Sequence, residues 1–124
     1  MKSTRKVIGT SLSLLAVVLI LLTASCEEYR YKLEEVDPDE LLSFDTVIQP
    51  LFTSNCISCH GAIRNPDLRE GKSYESLTKG GYVTLPAATS RLYSTITSGS
   101  HISYLDDPEK LKVLYWIEQG ALDN

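Results

Sequence analysis

Hydrophobic residues recur at helical spacing in two stretches, near residue 48 and near residue 114. The first has apolar side chains at positions 44, 47, 48, 51 and 52, which places them on one helical face. Ser43 is a suitable N-cap for this helix. Pro50 interrupts it, because an interior proline lacks an N–H donor and clashes with the preceding turn. The pattern therefore predicts a short turn before Pro50 and a second helix that starts at Pro50 and runs into Cys56.

The last stretch carries the clearest helix signals. Asp107 can serve as N-cap, Pro108 occupies the first helical position, and Gly120 is suited to end the helix. Apolar residues at positions 111, 114, 115 and 117 form the face that is expected to pack. We expect Trp116, which lies beside them, to be a core aromatic and not a ligand contact.

Between these helices, short periodic segments alternate with turn residues. We expect one helix from Ser73 to about Lys79 and another that begins after Ser90, a good N-cap. The sequence predicts an extended loop over residues 83–89. The residues expected to face inward from the two helices are Tyr74, Leu77, Leu92, Tyr93 and Ile96. No strand pair and no internal repeat is evident, so the predicted fold class is all-α with long loops.

Residues 1–25 have the pattern of a secretory leader. A basic start precedes an apolar stretch over residues 7–22, and small residues precede Cys26. The segment before Cys26 resembles the lipobox of bacterial lipoproteins, although Thr23 stands where leucine is usual. We therefore expect a lipoprotein signal peptide and lipidation of Cys26. Cleavage without lipidation and a retained membrane anchor remain as alternatives.

Residues 26–42 contain seven acidic residues and predict a solvated tether. Interspersed apolar residues leave open that part of this tether docks onto the domain, which is expected to span residues 43–124. The whole chain has 16 acidic and 12 basic residues, and loss of the three basic leader residues would leave a formal charge of −7. This charge disfavours a nucleic-acid partner. It is compatible with a basic redox partner, and equally with the solubility of an anchored surface protein.

Candidate chemistry lies in the run Cys-Ile-Ser-Cys-His at residues 56–60, the attachment signature of c-type haem. The thiols of Cys56 and Cys59 can form thioethers with the two vinyl groups of a porphyrin, and His60 can ligate the iron as proximal base. A redox dithiol would need a strand leading into the motif, whereas a helix is predicted here. A zinc site completed by His101 would need the adjacent Cys59 and His60 at two tetrahedral corners. A chance match is the remaining alternative.

The helix before this motif, the loop-rich middle and the last helix ending at residues 116–121 together resemble small monohaem c-type cytochrome domains. They are most similar to the lipid-anchored kind found in Bacteroidetes. The resemblance covers residues 43–124 and implies a cytochrome c-like fold, in which the first and last helices cross and one covalent haem c lies in a cleft between them. The packing residues it implies are Phe44, Leu51, Leu111, Leu114 and Ile117. The pocket walls it implies are Leu68, Tyr74, Leu85, Pro86 and Tyr93.

The same resemblance implies electron transfer in the cell envelope, with other envelope redox proteins as partners. A lipid anchor would hold the protein at a membrane, on the periplasmic side or at the outer membrane. The sequence has no acid and base pair, nucleophile triad or phosphate loop that would indicate an enzyme.

The distal side of the iron departs from the usual pattern. In most small cytochromes c, a methionine from the loop before the last helix is the sixth ligand. The one methionine of this chain is Met1, inside the expected leader. The one histidine besides His60 is His101, which lies in that loop, so our hypothesis is that His101 is the distal ligand. The alternative is a sixth position that is open or filled by water, Lys or Tyr, as in a haem-based ligand-binding or sensing module.

Overall fold

The structure is a computed structural model and describes residues 35–124. The expected leader, the lipidation site Cys26 and the first part of the acidic tether lie outside the described residues. The α-helices of the described part are α1 (Gln49–Asn55), α2 (Ser73–Lys79), α3 (Arg91–Ile96) and α4 (Asp107–Glu118). A π-helical turn, Phe44–Ile48, precedes α1, and 3₁₀ turns lie at Ala87–Thr89 and Gly99–His101.

Residues 35–124 contain no strand, so the prediction of a helical domain is confirmed for this part of the chain. Within the same range, no helix is long and apolar enough to cross a membrane.

The helix around Pro50 forms as two joined segments. Ser43 caps the π-helical turn, since its Oγ accepts from the Thr46 N–H at 3.3 Å. The Gln49 N–H donates to the carbonyl of Phe44, five residues back, which is the spacing of a π-helix. Pro50 then lies in the first turn of α1, where its missing N–H leaves no partner unsatisfied. The predicted change at Pro50 and the helix running up to Cys56 are both confirmed.

The middle helices also follow the predicted bounds. In α2, Leu77 is fully buried. Ser90 caps α3 as predicted, since its Oγ accepts from the Tyr93 N–H at 3.2 Å. The extended loop predicted for residues 83–89 is partly wrong. Ala87–Thr89 form a 3₁₀ turn, because consecutive amides at its end donate to carbonyls three residues back.

Helix α4 begins one residue earlier than the sequence predicts. Its N-cap is Asp106, whose carboxylate accepts from the Glu109 N–H at 2.8 Å. The Glu109 carboxylate accepts from the Asp106 N–H at 2.9 Å, which completes a capping box. The prediction of Asp107 as N-cap is therefore wrong, because the cap falls on the aspartate three residues before a glutamate. Pro108 stays in the first turn.

Two of the predictions for α4 are confirmed, since Trp116 and Ile117 are fully buried in the core. Val113 is fully buried as well, which the sequence did not predict. Leu111 and Leu114 are only half-buried, and Leu114 packs against the core. A face of α4 centred on Trp116 brings the largest side chain into the core, which buries more apolar area than a face centred on the two leucines.

The first and last helical segments pack together through aromatic rings. The ring centroids of Phe44 and Trp116 are 5.1 Å apart. Nearby, the Leu42 N–H donates to Oε1 of Gln119 at 2.9 Å, and Nε2 of Gln119 donates to the Glu40 carbonyl at 2.8 Å. The end of the acidic segment is therefore docked on α4, the possibility that the sequence left open.

Replacement of Asp106 by alanine is expected to destabilise the fold by about 1 kcal/mol, because it removes the carboxylate that accepts from the Glu109 N–H, whereas the backbone N–H of residue 106 can still donate to the Glu109 carboxylate. Urea unfolding followed by circular dichroism measures the change. Asp107→Ala is the matched control, since this exposed neighbour makes only a surface ion pair with Lys110 at 3.3 Å. Equal losses in the two variants would contradict the assignment of the cap to Asp106.

Candidate functional site

The two thiols of the motif lie on a turn that directly follows α1. Cys56 is the C-cap of this helix, and its N–H donates to the Phe52 carbonyl. The Cys56 carbonyl in turn accepts from the N–H groups of Cys59 at 3.1 Å and of His60 at 2.9 Å. The turn therefore holds the backbone of both cysteines and the histidine in one short bonded loop, and all three side chains line one cavity.

His60 is oriented by the loop that follows it. Its Nδ1 is 3.1 Å from the Pro66 carbonyl oxygen. A carbonyl can only accept, so Nδ1 carries the proton and Nε2 is left with its lone pair for a metal. The loop is tied down at both ends, because the Leu68 N–H donates to the His60 carbonyl at 2.8 Å and Nε2 of Gln49 donates to the Leu68 carbonyl at 3.1 Å.

The structure brings His101 to His60 although 40 residues separate them in the chain. The ring centroids are 6.2 Å apart, with 51° between the ring planes. Two imidazoles that bind one metal from opposite sides, each with a metal–nitrogen bond of about 2 Å, have centroids roughly 6 Å apart. The separation of the two ring centroids is compatible with two imidazoles that share a metal.

The support of the two histidines is unequal. His101 lies on the 3₁₀ turn before α4 and is half-buried. Its Nδ1 has a 3.5 Å contact with Oγ of Ser100, a long and weak hydrogen bond. The ring of Tyr104 lies 5.8 Å from that of His101. His60 is thus fixed by the loop around it, whereas His101 is held mainly by its own turn.

Two cavities adjoin the histidine pair. We name them by a residue that lines only one of them, the Cys59 cavity and the Tyr82 cavity. Their cavity volumes are about 140 Å³ and about 230 Å³. Each is smaller than the range of about 300–1,000 Å³ that is typical of a single small-molecule site. The residues that line both cavities are Cys56, His60, Arg64, Ile96 and His101.

The Tyr82 cavity is walled by the hydrophobic core. Phe52 from α1, Leu68 from the loop, and Leu92 and Ile96 from α3 all line it, and all four are buried. Apolar walls of this kind accept a flat apolar ligand and exclude water from its faces.

Of the five residues expected as pocket walls, Leu68 alone lines either of these two cavities. Tyr74 instead belongs to the core beside α4, where its hydroxyl donates to a backbone carbonyl beyond the helix end at 3.0 Å. Leu85 is 67% exposed. Pro86 and Tyr93 also lie outside both cavities. Their positions depend on how α2 and α3 pack, which local sequence does not encode.

Sequence reasoning missed three contributors to the site. The Pro66 carbonyl orients His60, but a backbone group leaves no side-chain signal in the sequence. Arg64 and Arg91 both line the Tyr82 cavity. The sequence did contain a signal for these two arginines, because basic residues are fewer than acidic ones in this chain and each is therefore a candidate for binding an anionic group.

The chemistry of the Cys56 thiol differs from that of a redox dithiol. Burial raises its pKa from the ordinary 9.0 to about 11, with smaller contributions from the Glu109 carboxylate and Cys59. Catalytic dithiols instead have a cysteine of lowered pKa, commonly at a helix N-terminus. Cys56 lies at the C-terminal end of α1, where the helix dipole disfavours a thiolate. The geometry is therefore unfavourable to the redox dithiol.

In the folded chain at pH 8, iodoacetamide is expected to label the exposed Cys59 well before Cys56. Only the thiolate reacts, and a pKa raised by two units lowers its fraction about 100-fold. Labelling of Cys56 should accelerate as the pH rises toward 11. Mass spectrometry of the peptides reports each site, and urea-unfolded chain is the control in which both cysteines react alike. Equal labelling in the folded chain at pH 8 would refute the burial of this thiol.

Among residues 35–124, no group of three His, Cys, Asp or Glu side chains is placed to hold a metal ion. The site offers two neighbouring imidazoles and two thiols beside apolar walls, which suit a flat metal-containing cofactor that brings its own equatorial ligands. Comparison of the chain with family models, curated proteins and solved structures finds no match.

Proposed function

We propose that this domain transfers electrons by means of one haem c, attached covalently through Cys56 and Cys59. The observation that carries the proposal is the histidine pair. The Pro66 carbonyl orients His60 so that Nε2 is left for a metal, and the ring of His101 lies 6.2 Å away, centroid to centroid. Two thiols that line a cavity beside this pair supply the attachment points.

Each residue has a distinct part in this proposal. Cys56 and Cys59 form the thioethers, His60 is the proximal ligand and His101 the distal ligand. A bound haem supplies the one-electron change between ferric and ferrous iron. Phe52, through its buried ring, keeps water from that centre. The hydrogen bond from Nδ1 of His60 to a carbonyl raises the basicity of Nε2, which strengthens its bond to the iron.

Ligation by two histidines would make the iron six-coordinate and low-spin. It would also give a lower reduction potential than ligation by histidine and methionine, because a methionine ligand raises the potential. No methionine is available in residues 35–124, since the chain has one and it is Met1.

The proposal includes a cytochrome c-like arrangement of the helices. The contact between Phe44 and Trp116 supports it, because it joins the first and last helical segments. We further propose a bacterial lipoprotein that is anchored through Cys26 in the cell envelope and exchanges electrons with other envelope redox proteins. The excess of acidic residues is compatible with partners that have a basic docking face.

A denaturing gel stained for haem tests the proposal directly. The chain, expressed with its leader in a host that has the cytochrome c maturation system, is expected to retain stain at its own mass. The same chain from a host without that system is the control and should be colourless. Absence of stain from properly matured chain would reject the haem assignment and the electron-transfer function with it.

A further inference from the structure

Two arginines of the Tyr82 cavity are not explained by the attachment of a haem. Arg64 lines both cavities, and Arg91 lines the Tyr82 cavity. The guanidinium carbon of Arg91 lies 4.5 Å from the centroid of the Tyr82 ring. This cation–π contact holds the Arg91 side chain against the cavity wall.

The residues that line the cavities around these arginines carry no negative charge. No Asp or Glu is among the residues that line either cavity. The ion pairs formed within residues 35–124 involve Arg69, Lys79 and Lys110, and neither Arg64 nor Arg91 has a carboxylate partner in this range. In a chain with 16 acidic residues, two such arginines at one cavity create a local positive potential. An anionic ligand group would be stabilised there.

The position of Arg91 indicates which anionic group this is. Arg91, Tyr82 and Thr95 line the Tyr82 cavity but not the Cys59 cavity. A porphyrin of this type carries its vinyl groups on one side of the ring and its two propionate carboxylates on the other. Attachment at the cysteines would therefore direct the carboxylates away from Cys59 and toward Arg91, whereas Arg64 lies on the wall that the two cavities share. Arginine is well suited to the carboxylates, because its planar guanidinium can donate two parallel hydrogen bonds to one carboxylate.

We infer that Arg64 and Arg91 bind the propionate carboxylates of the haem, with Tyr82 positioning Arg91. This inference rests on the proposed function, since it requires the haem. It assigns the otherwise apolar cavity a charged end.

The test uses the matured, haem-loaded full chain and the double variant Arg64→Gln/Arg91→Gln. The propionate bending bands of the resonance Raman spectrum are expected to shift in this variant, because the carboxylates lose their donors, while the low-spin marker bands stay unchanged. Arg69→Gln is the matched control, since Arg69 is paired with Asp67 at 2.7 Å and lines neither cavity. Unchanged propionate bands in the double variant would overturn the inference.

A second measurement uses the Cys56→Ala/Cys59→Ala chain, to which free haem is added. We expect haem to bind roughly tenfold or more tightly than its dimethyl ester, in which the carboxylates are blocked. That preference should disappear when the substitutions Arg64→Gln and Arg91→Gln are also introduced into this chain. Equal affinity for haem and ester in the chain that keeps both arginines would also overturn the inference. If the matured Arg64→Gln/Arg91→Gln variant retains haem stain but its propionate bands do not shift, the arginine assignment alone is refuted. If the unchanged matured chain gives a colourless denaturing gel, the proposed function is refuted.

Discussion

The chain in which alanine replaces both Cys56 and Cys59 is expected to lose all haem stain in a denaturing gel. A thioether is the only link that survives denaturation, because coordination by His60 is lost when the chain unfolds. The effect is complete, so it is the largest of our predictions. Each single variant keeps one possible thioether and should give a weaker stain at the same mass.

Ser58→Ala is the matched control for this experiment. Ser58 lies between the two cysteines and lines the Cys59 cavity, but its hydroxyl cannot form a thioether. Its stain should equal that of the unchanged chain. If the double cysteine variant retained stain, or if Ser58→Ala lost it, the attachment would not be through these thiols.

Replacement of His101 by alanine is expected to convert the iron from low-spin to high-spin. The ferric spectrum of the unchanged chain should be that of a six-coordinate, low-spin centre, because two imidazoles complete the axial positions. The variant would leave one axial position without a protein ligand. Carbon monoxide should then bind readily to the reduced variant, whereas the unchanged chain should resist it.

Two further variants sharpen this experiment. His101→Met should remain low-spin with a raised potential if the side chain reaches the iron, because methionine ligation favours the ferrous state. Ser100→Ala removes only the 3.5 Å contact with the His101 ring and should leave the spin state unchanged. A high-spin spectrum of the unchanged chain, or a low-spin His101→Ala with the same potential, would exclude His101 as distal ligand. The haem-based binding or sensing module would then be the better interpretation.

Local signals in the sequence predicted the helices well. Ser43 and Ser90 act as N-caps because their hydroxyls reach amides only three residues away. Pro50 leads into α1 for an equally local reason. The predicted cap of α4 was wrong by one residue. Positions 106 and 107 are both aspartate, and the bond that Asp106 accepts from the Glu109 N–H distinguishes them.

Packing between distant segments was less predictable. Helix α4 buries Val113 fully and Leu111 and Leu114 only in part, which depends on how the helix packs against distant segments such as Phe44, more than 70 residues before Trp116. Helical periodicity alone does not decide this, because apolar residues surround most of this helix. The same limit applies to Tyr74, which was expected at the cavity and lies in the core instead.

The sequence by itself determined the candidate chemistry. Cys56, Cys59 and His60 are adjacent in the chain, so their spacing and the turn that they form are fixed within five residues. The presence of one methionine and two histidines is likewise a property of composition, and it named His101 as the candidate for the distal side.

Only the tertiary structure decided the geometry of that candidate pair. The 6.2 Å between the rings of His60 and His101 results from the packing of α3 and the turn after it against the motif. The orientation of His60 depends on the carbonyl of Pro66, and the charged end of the cavity depends on Arg91. The physical reason is the distance along the chain between the residues that interact. Caps and turns are set by hydrogen bonds across a few residues, whereas a site built from separate segments forms only when the core between them is packed.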